Sequence, residues 1–412
     1  MFLSRIVENV VRTDGRRVLA GLIRLTGDFD AAEDALQEAY ARAMAVWGRE
    51  GVPDRPAAWL NTVARRIAID RNRRDRGVDP PEELEAPPVV IEEEHEVEDD
   101  RLRLLFVCCH PALSPEARCA LALRTLGGLT TREIARGFVE PEATTAQRLV
   151  RAKKKIREAR IPYEVPPREK LPERIETVLS VIYLIFNEGY ASTDAPSLLR
   201  PDLVAEAIRL ARLTVDLLPD VAEARGLLAL LLLTDSRRAA RTTAAGEIVP
   251  LEEQDRSLWD PGQIAEGVRL LDDALALRAA GPYQTQAAIA ALHVTASTPA
   301  ETDWPQIAAL YRALLRMMPT PVIEFNAAVA EGMATTLERA LEGIARVERG
   351  GQLASYYLLP AAKADVLRRL GRSDDAAAAY REAIALVTNP AERRYLEKRL
   401  AECALALPPL RG

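Results

Sequence analysis

Two adjacent cysteines and a histidine are the first side chains whose chemistry suggests a reactive centre. Cys108, Cys109 and His110 are consecutive, and Cys119 follows nine residues later. A thiol beside an imidazole can act as a nucleophile, and cysteine with histidine can bind zinc. However, apolar residues surround the cluster, Pro111 ends the predicted helix, and the sequence offers no evident carboxylate to orient the histidine. We therefore favour buried small side chains, and we expect no catalytic residue, no metal and no cofactor.

An aromatic residue beside a run of arginines suggests contact with nucleic acid. Residues 55–76 contain seven arginines, and Trp59 lies near the start of the helix that Pro56 opens. An aromatic ring next to cationic side chains can stack on an unpaired base while the cations bind phosphate. A solvated basic helix face is the alternative that the charge alone leaves open.

Residues 101–160 predict a helix-turn-helix from local signals. Pro115 opens a helix that stops at the glycine pair 127–128, and Thr130 with Glu133 has the capping-box spacing that starts a second helix. Pro141 is suited to the first position of a third helix, which runs to about residue 158. The start of that helix is polar, as in a major-groove reader, and its end is strongly cationic, as phosphate binding requires. The predicted DNA-binding residues are Thr144, Thr145, Gln147, Arg148, Arg151, Lys153, Lys154 and Lys155.

Charge is distributed unevenly along the 412 residues. The formal net charge is −6, which by itself argues against a nucleic-acid-binding protein. Yet residues 1–78 and 101–160 hold 27 Lys and Arg against 16 Asp and Glu, whereas residues 79–100 hold 11 acids and no Lys or Arg. The sequence therefore predicts two basic modules joined by an acidic, proline-rich linker that cannot fold alone.

Abundant alanine and leucine, with only 5% aromatic residues, predict an all-α protein. We assign residues 1–78 to a helical bundle, 79–100 to the acidic linker, 101–162 to the helix-turn-helix and 163–412 to a helical C-terminal extension. Four cysteines are too few and too unevenly placed for a disulfide framework. The longest apolar run, residues 226–234, is far shorter than the roughly 20 residues that span a bilayer. We expect a cytoplasmic protein with no membrane partner.

Both modules contain strings that are similar to one family. AEDALQEAY at 32–40, PAAWLNTVARR at 56–66 and DRNRR at 70–74 resemble region 2 of sigma-70-type RNA polymerase sigma factors of the extracytoplasmic-function class. LTTREIA at 129–135 and ATTAQRLVRAK at 143–153 are similar to region 4 of that family, which binds the minus-thirty-five element of promoter DNA.

The resemblance implies roles for particular residues. Core RNA polymerase would be bound by Asp34, Gln37 and Glu38. The minus-ten element would be captured by Trp59, Asn61, Thr62, Arg65, Arg66, Arg73 and Arg74. The protein would then be a non-enzymatic factor that directs promoter-specific transcription initiation.

The last part of the chain has a weak internal repeat of about 36 residues. Ala328, Ala340, Ile344 and Val347 recur as Ala364, Ala376, Tyr380 and Ala383, a pattern that resembles a degenerate tetratricopeptide repeat. Strings such as IFNEGY at 185–190 resemble a sigma subgroup with a large helical extension, which suggests control in cis. We expect the extension to bind its own sigma modules or a protein partner.

Two other functions stay open at this point. A helix-turn-helix regulator with a repeat-type sensor domain would bind DNA without entering the polymerase, but it would leave the Asp34 helix and the Trp59 module without a role. A thiol enzyme built on Cys109 and His110 is the less favoured alternative.

Overall fold

Apolar residues at helical spacing make the computed structural model of this chain helical nearly throughout. The structure describes residues 2–75, 94–138, 140–190, 200–243 and 246–405. Within these ranges it contains no β-strand, only an isolated bridge between Thr242 and Ile248. The predicted all-α fold class is confirmed. No helix within the described ranges has both the length and the apolar character that crossing a bilayer requires.

The α-helices are numbered here in chain order. The first nine are α1 (Phe2–Thr26), α2 (Phe29–Glu50), α3 (Pro56–Asp75), α4 (Glu94–Cys108), α5 (Pro115–Thr125), α6 (Thr131–Gly137), α7 (Glu142–Glu158), α8 (Pro172–Tyr190) and α9 (Pro201–Leu217). The others are α10 (Ala222–Asp235), α11 (Pro261–Ala276), α12 (Pro282–Thr295), α13 (Trp304–Met317), α14 (Pro321–Ala334), α15 (Leu337–Arg349), α16 (Leu358–Arg369), α17 (Ser373–Leu386) and α18 (Pro390–Leu405). Short 3₁₀ turns lie at Arg168–Lys170, Arg238–Ala240, Leu251–Glu253, Arg256–Leu258 and Pro299–Glu301.

The first three helices pack against one another. Asp28 caps α2, because its Oδ1 accepts hydrogen bonds from the backbone N–H groups of Asp30 (2.8 Å) and Ala31 (3.1 Å). The helix passes through Gly48 and ends before Gly51, whose φ of +89° suits glycine. Its buried face packs on α1 and α3 and consists of Phe29, Ala32, Ala35, Leu36, Ala39, Ala43 and Trp47.

The predicted acidic linker, residues 79–100, overlaps a helix at its C-terminal end. Helix α4 begins at Glu94, inside the predicted linker 79–100, and residues 79–93 lie outside the described part of the chain. Asp100 is buried, and its carboxylate pairs with Arg24 (3.0 Å) and Arg103 (3.2 Å). The Tyr163 hydroxyl donates to the backbone carbonyl of Asp100 at 2.8 Å. Asp100 therefore belongs to a folded core, which the composition of the predicted linker could not indicate.

The chain divides into two compact units. One consists of Met1–Ile185 with Ala205–Leu210, and the other of Phe186–Val204 with Ala211–Gly412. The first unit thus includes residues that we assigned to the C-terminal extension. Within it, Arg101 forms a buried ion pair with Glu206 at 2.6 Å. A boundary at residue 162 would therefore separate two charges that are buried together.

The second unit is built on α10, whose residues from Leu227 to Leu233 are all buried. Two helical hairpins follow, α14 with α15 and α16 with α17, and they hold the two copies of the 36-residue repeat. In the first hairpin, a Cβ on Gly332 would lie 2.2 Å from the Cβ of Ala340, so glycine permits the close approach of the two helices. Helical pairing at this period agrees with the predicted repeat, while its tetratricopeptide identity stays a prediction.

Candidate nucleic-acid interface

The predicted polymerase-binding residues lie on the outer side of α2. Asp34 and Gln37 are exposed, and Glu38 is partly exposed. Arg71 of α3 bridges the two acids, with nitrogen–oxygen distances of 3.2 Å to Asp34 and 3.0 Å to Glu38. Hydrogen bonds from Arg42 and then Arg71 lower the pKa of Glu38. Helix α3 thus holds two members of this surface in place, a role of Arg71 that sequence reasoning did not find.

Trp59 is only partly available as a stacking surface. Its ring packs edge-on against the buried ring of Trp47, with 5.4 Å between the ring centroids. The Thr62 hydroxyl donates to the carbonyl of Ala58 at 3.0 Å, within the same helix. The aromatic residue is therefore held in position and still has a partly exposed ring.

The remaining predicted minus-ten residues divide into two sets. Asn61 and Arg65 line a small cleft between α1, α3 and α4, whereas Arg66 and Arg73 are exposed on α3. The side chain of Arg74 lies outside the described part of the structure, although its backbone is helical. The full lining of the cleft is Arg17, Val18, Gly21, Arg24, Asn61, Arg65 and Asp100. One of its three arginines, Arg24, is paired with the buried carboxylate of Asp100 in the same cleft.

The helix-turn-helix forms as the local signals predict. The Glu133 carboxylate accepts a hydrogen bond from the backbone N–H of Thr130 at 2.6 Å, and the Thr130 hydroxyl accepts one from the N–H of Glu133 at 3.2 Å. These reciprocal bonds are the predicted capping box. Pro141 precedes α7 as its cap residue instead of occupying its first position, a difference of one residue.

Two of the predicted DNA-binding residues hold the turn before α7. Thr145 is buried, and its hydroxyl donates to the carboxylate of Glu140. Both terminal nitrogens of Arg148 also donate to that carboxylate, one of them at 2.7 Å, and the guanidinium lies 5.4 Å from the ring centroid of Phe138. Hydrogen bonds from Arg148 and Thr145 lower the pKa of Glu140. The sequence did not single out Glu140 as this anchor.

Some of the cationic side chains near the end of α7 contact α2, and the others face solvent. Lys153 is largely buried, and its Nζ lies 3.1 Å from Asp30 Oδ1 and 2.8 Å from Glu33 Oε1. Arg157 lies 3.1 Å from Asp28 Oδ2. These acids lie at the start of α2, where a negative charge also interacts favourably with the helix dipole. One side of the predicted DNA-binding helix therefore contacts the first module.

The other predicted residues of α7 face solvent. The exposed set is Thr144, Gln147, Arg151, Lys154 and Lys155. Lys154 Nζ lies 3.6 Å from Glu158 Oε1, one helical turn further along. The opposite side of the helix is buried through Leu149, Ala152 and Ile156. This exposed face can therefore present amide, hydroxyl and cationic groups to a DNA groove while the helix stays anchored.

The cysteines have the properties of core side chains. Cys108 and Cys109 are buried, and burial raises the pKa of the Cys108 thiol to about 12 and also raises that of Cys109. The thiolate that nucleophilic or metal-binding chemistry needs is thereby disfavoured. Among the described residues, no group of three or more His, Cys, Asp or Glu side chains is placed to bind a metal ion.

Comparison with family models identifies three segments of the chain. Sigma-70 region 2 matches residues 10–77, and sigma-70 region 4 matches residues 103–156. A family of unknown function, DUF6596, matches residues 174–275. The first two segments coincide with the predicted basic modules, and the third lies in the C-terminal extension.

Several known proteins resemble the chain. An uncharacterized protein of Rhizobium meliloti is 43% identical over 399 residues, which are 94% of this chain and 93% of that protein. In Mycobacterium tuberculosis, the probable ECF RNA polymerase sigma factor SigI is 29% identical over 152 residues, 35% of this chain and 52% of SigI. The ECF RNA polymerase sigma factor SigL of the same species is 34% identical over 139 residues, 33% of this chain and 77% of SigL. No solved structure matches the chain.

Proposed function

Because the chain belongs to the extracytoplasmic-function class of sigma-70 factors and carries a C-terminal extension, we propose that it binds core RNA polymerase and directs transcription from its own set of promoters. It acts by binding and positioning, without catalysing a reaction, and in the cytoplasm, where the polymerase works. Helix α2 contacts the polymerase, α3 the minus-ten element and α7 the minus-thirty-five element.

The main support is that exposed cationic side chains and the exposed face with Asp34 and Gln37 lie on different helices of the first unit. The exposed Asp34 and Gln37 lie on α2, while the cationic side chains lie on α3 and α7. Because Arg42 and Arg71 pair with the acids of this surface, it offers no excess positive charge to DNA phosphate and suits a protein partner better. A DNA-binding regulator that acts without polymerase would have no use for such a surface.

In this proposal, α7 lies in the major groove with its exposed side toward the bases. Thr144 and Gln147 face base edges near the start of the helix, and Arg151, Lys154 and Lys155 face the phosphates. Thr145 and Arg148, which the sequence placed among the DNA-binding residues, orient the helix through Glu140. Lys153 joins the phosphate contacts once its ion pairs with α2 are broken.

Helix α3 binds the minus-ten element in this proposal. The exposed Arg66 and Arg73, together with Arg74, neutralise the backbone of the opened strand. Trp59 offers the free part of its ring to an unstacked base, while Asn61 and Arg65 lie at the neighbouring cleft. Thr62, next to Asn61 on α3, is the last of the predicted minus-ten residues.

Transcription with purified components tests the proposal. The full-length protein is added to core polymerase on linear templates with a randomised upstream segment, and transcript 5′ ends are sequenced. We expect transcripts that share an upstream sequence and are absent with core polymerase alone. DNA binding without any new transcript would favour the helix-turn-helix regulator instead.

A double variant separates polymerase binding from DNA binding. D34A/Q37A removes two exposed side chains of α2 and should reduce transcription about tenfold or more, while duplex binding stays unchanged. E50A is the matched control, because Glu50 is exposed at the other end of the same helix. Equal transcript yields from D34A/Q37A and E50A would contradict the assignment of this surface to the polymerase.

We also propose that the second unit regulates the factor. Truncation after residue 170 would remove Glu206 and leave the buried Arg101 unpaired, so it would test folding as well as regulation. A chain that ends at Leu217 keeps that ion pair. At equal protein concentration we expect its transcript yield to differ from that of the full chain. Equal yields would exclude the regulatory role.

A further inference from the structure

One apolar side chain is mostly exposed to solvent on the outer face of α7. Val150 is 65% exposed, the largest value among the large apolar side chains of the described residues. The core side of the helix passes through Leu149, Ala152 and Ile156, so Val150 has no packing role there. Valine is also a weaker helix former than alanine or leucine. Neither stability of the core nor helix propensity explains an isopropyl group at this position.

The neighbours of Val150 identify the surface that this side chain shares. Gln147 precedes it by three residues and Lys154 follows it by four, which places the three side chains on one face of the helix. All three are exposed, and Arg151 adds a further cation beside them. Positive charge around an amide and an isopropyl group complements a DNA groove better than it complements an apolar protein surface.

The major groove contains one kind of apolar group on its base edges, the C5 methyl of thymine. An aliphatic side chain gains affinity by covering it, and a glutamine amide can pair with N6 and N7 of adenine. Three residues advance α7 by about 4.5 Å, close to the rise of about 3.4 Å between base pairs. Gln147 and Val150 can therefore contact neighbouring base pairs.

We propose that Val150 is a specificity-determining residue that covers the methyl group of a thymine in the minus-thirty-five element, beside an adenine bound by Gln147. The inference rests on the proposed function, in which α7 lies in the major groove. It adds a base preference that neither charge nor the capping signals of the sequence supply.

Deoxyuridine provides the test, because it pairs like thymine and lacks only the C5 methyl. Duplexes are first selected from a randomised library with the full-length protein bound to core polymerase. Each thymine in the selected sequence is then replaced by deoxyuridine, one position at a time. From the burial of one methyl group we expect a loss of affinity of about threefold to tenfold at one position.

The variant V150A should weaken binding to the thymine duplex by a similar factor and remove the difference between thymine and deoxyuridine at that position alone. R151A is the matched control, because loss of a phosphate contact should weaken both duplexes equally. Thermal unfolding of V150A should show no loss of stability, since Val150 is exposed and alanine is the better helix former.

Each outcome decides a separate point. A thymine effect that persists in V150A, or selected duplexes that show no thymine effect, would overturn the role of Val150 and leave the proposed function intact. Failure to enrich any duplex would overturn the proposed function and, with it, the Val150 contact.

Discussion

Neutralising two acids at the start of α2 should increase DNA binding by the free protein. In the proposed function, α7 and α3 bind elements centred about 25 base pairs apart, or about 85 Å along the duplex. In the structure, α7 instead contacts α2 through Lys153, and the whole of α2 is only about 33 Å long. Promoter binding therefore requires the contact between the two modules to open and its ion pairs to break.

The pairs of Lys153 with Asp30 and Glu33 set the size of the effect. Exposed ion pairs contribute up to about 1 kcal/mol, and hydrogen bonds to charged groups about 1.5–3 kcal/mol. The Lys153 side chain is 13% exposed while Asp30 is 64% exposed, so we place the two pairs together at about 1–2 kcal/mol. The variant D30N/E33Q should then raise the affinity for a minus-thirty-five duplex about fivefold to thirtyfold.

Fluorescence anisotropy with a labelled duplex measures this affinity at several salt concentrations. The gain should shrink with added salt, because exposed charges are screened. The control E50Q/D54N removes the same number of charges from two exposed acids of the first module. A gain below twofold in D30N/E33Q, or the same gain in the control, would refute a specific restraint by the α2 acids.

Two further variants test buried and half-buried charges in the first unit. E206Q should lower the free energy of unfolding by about 3–5 kcal/mol, because it leaves Arg101 buried without its ionic partner, and denaturant titration should show a smaller loss for the double variant R101M/E206L. E140Q should destabilise the turn before α7 by about 1–2 kcal/mol at neutral pH, measured by hydrogen exchange of α7 amides. Since Arg148 and Thr145 lower the pKa of Glu140, its stabilisation is present above the pKa of the unfolded chain and is lost as pH falls through the folded pKa. The difference between E140Q and wild type should therefore vanish in acid, and a constant difference would contradict the assigned anchor.

Local signals in the sequence determined several helices and where they begin. The cap at Asp28, the capping box of Thr130 and Glu133 and the spacing of buried alanines each involve residues a few positions apart. Such contacts form wherever the local backbone is helical, so the sequence alone specifies them. The same holds for the exposed Gln147 and Arg151 on the outer face of α7.

Only the tertiary structure decided which charged residues of the candidate site face solvent. Lys153 pairs with acids about 120 positions earlier, and Arg101 pairs with Glu206, 105 positions later. Thr145 looks like a base-contacting residue by sequence, yet it is buried against the turn. The net charge of a segment does not show which charges are paired, because the energy of an ion pair depends on the distance between the two groups and on their burial. The helices and the distribution of charge along the chain thus followed from the sequence. Whether a given charged side chain is available to DNA or forms an internal ion pair was decided by the packing of the helices.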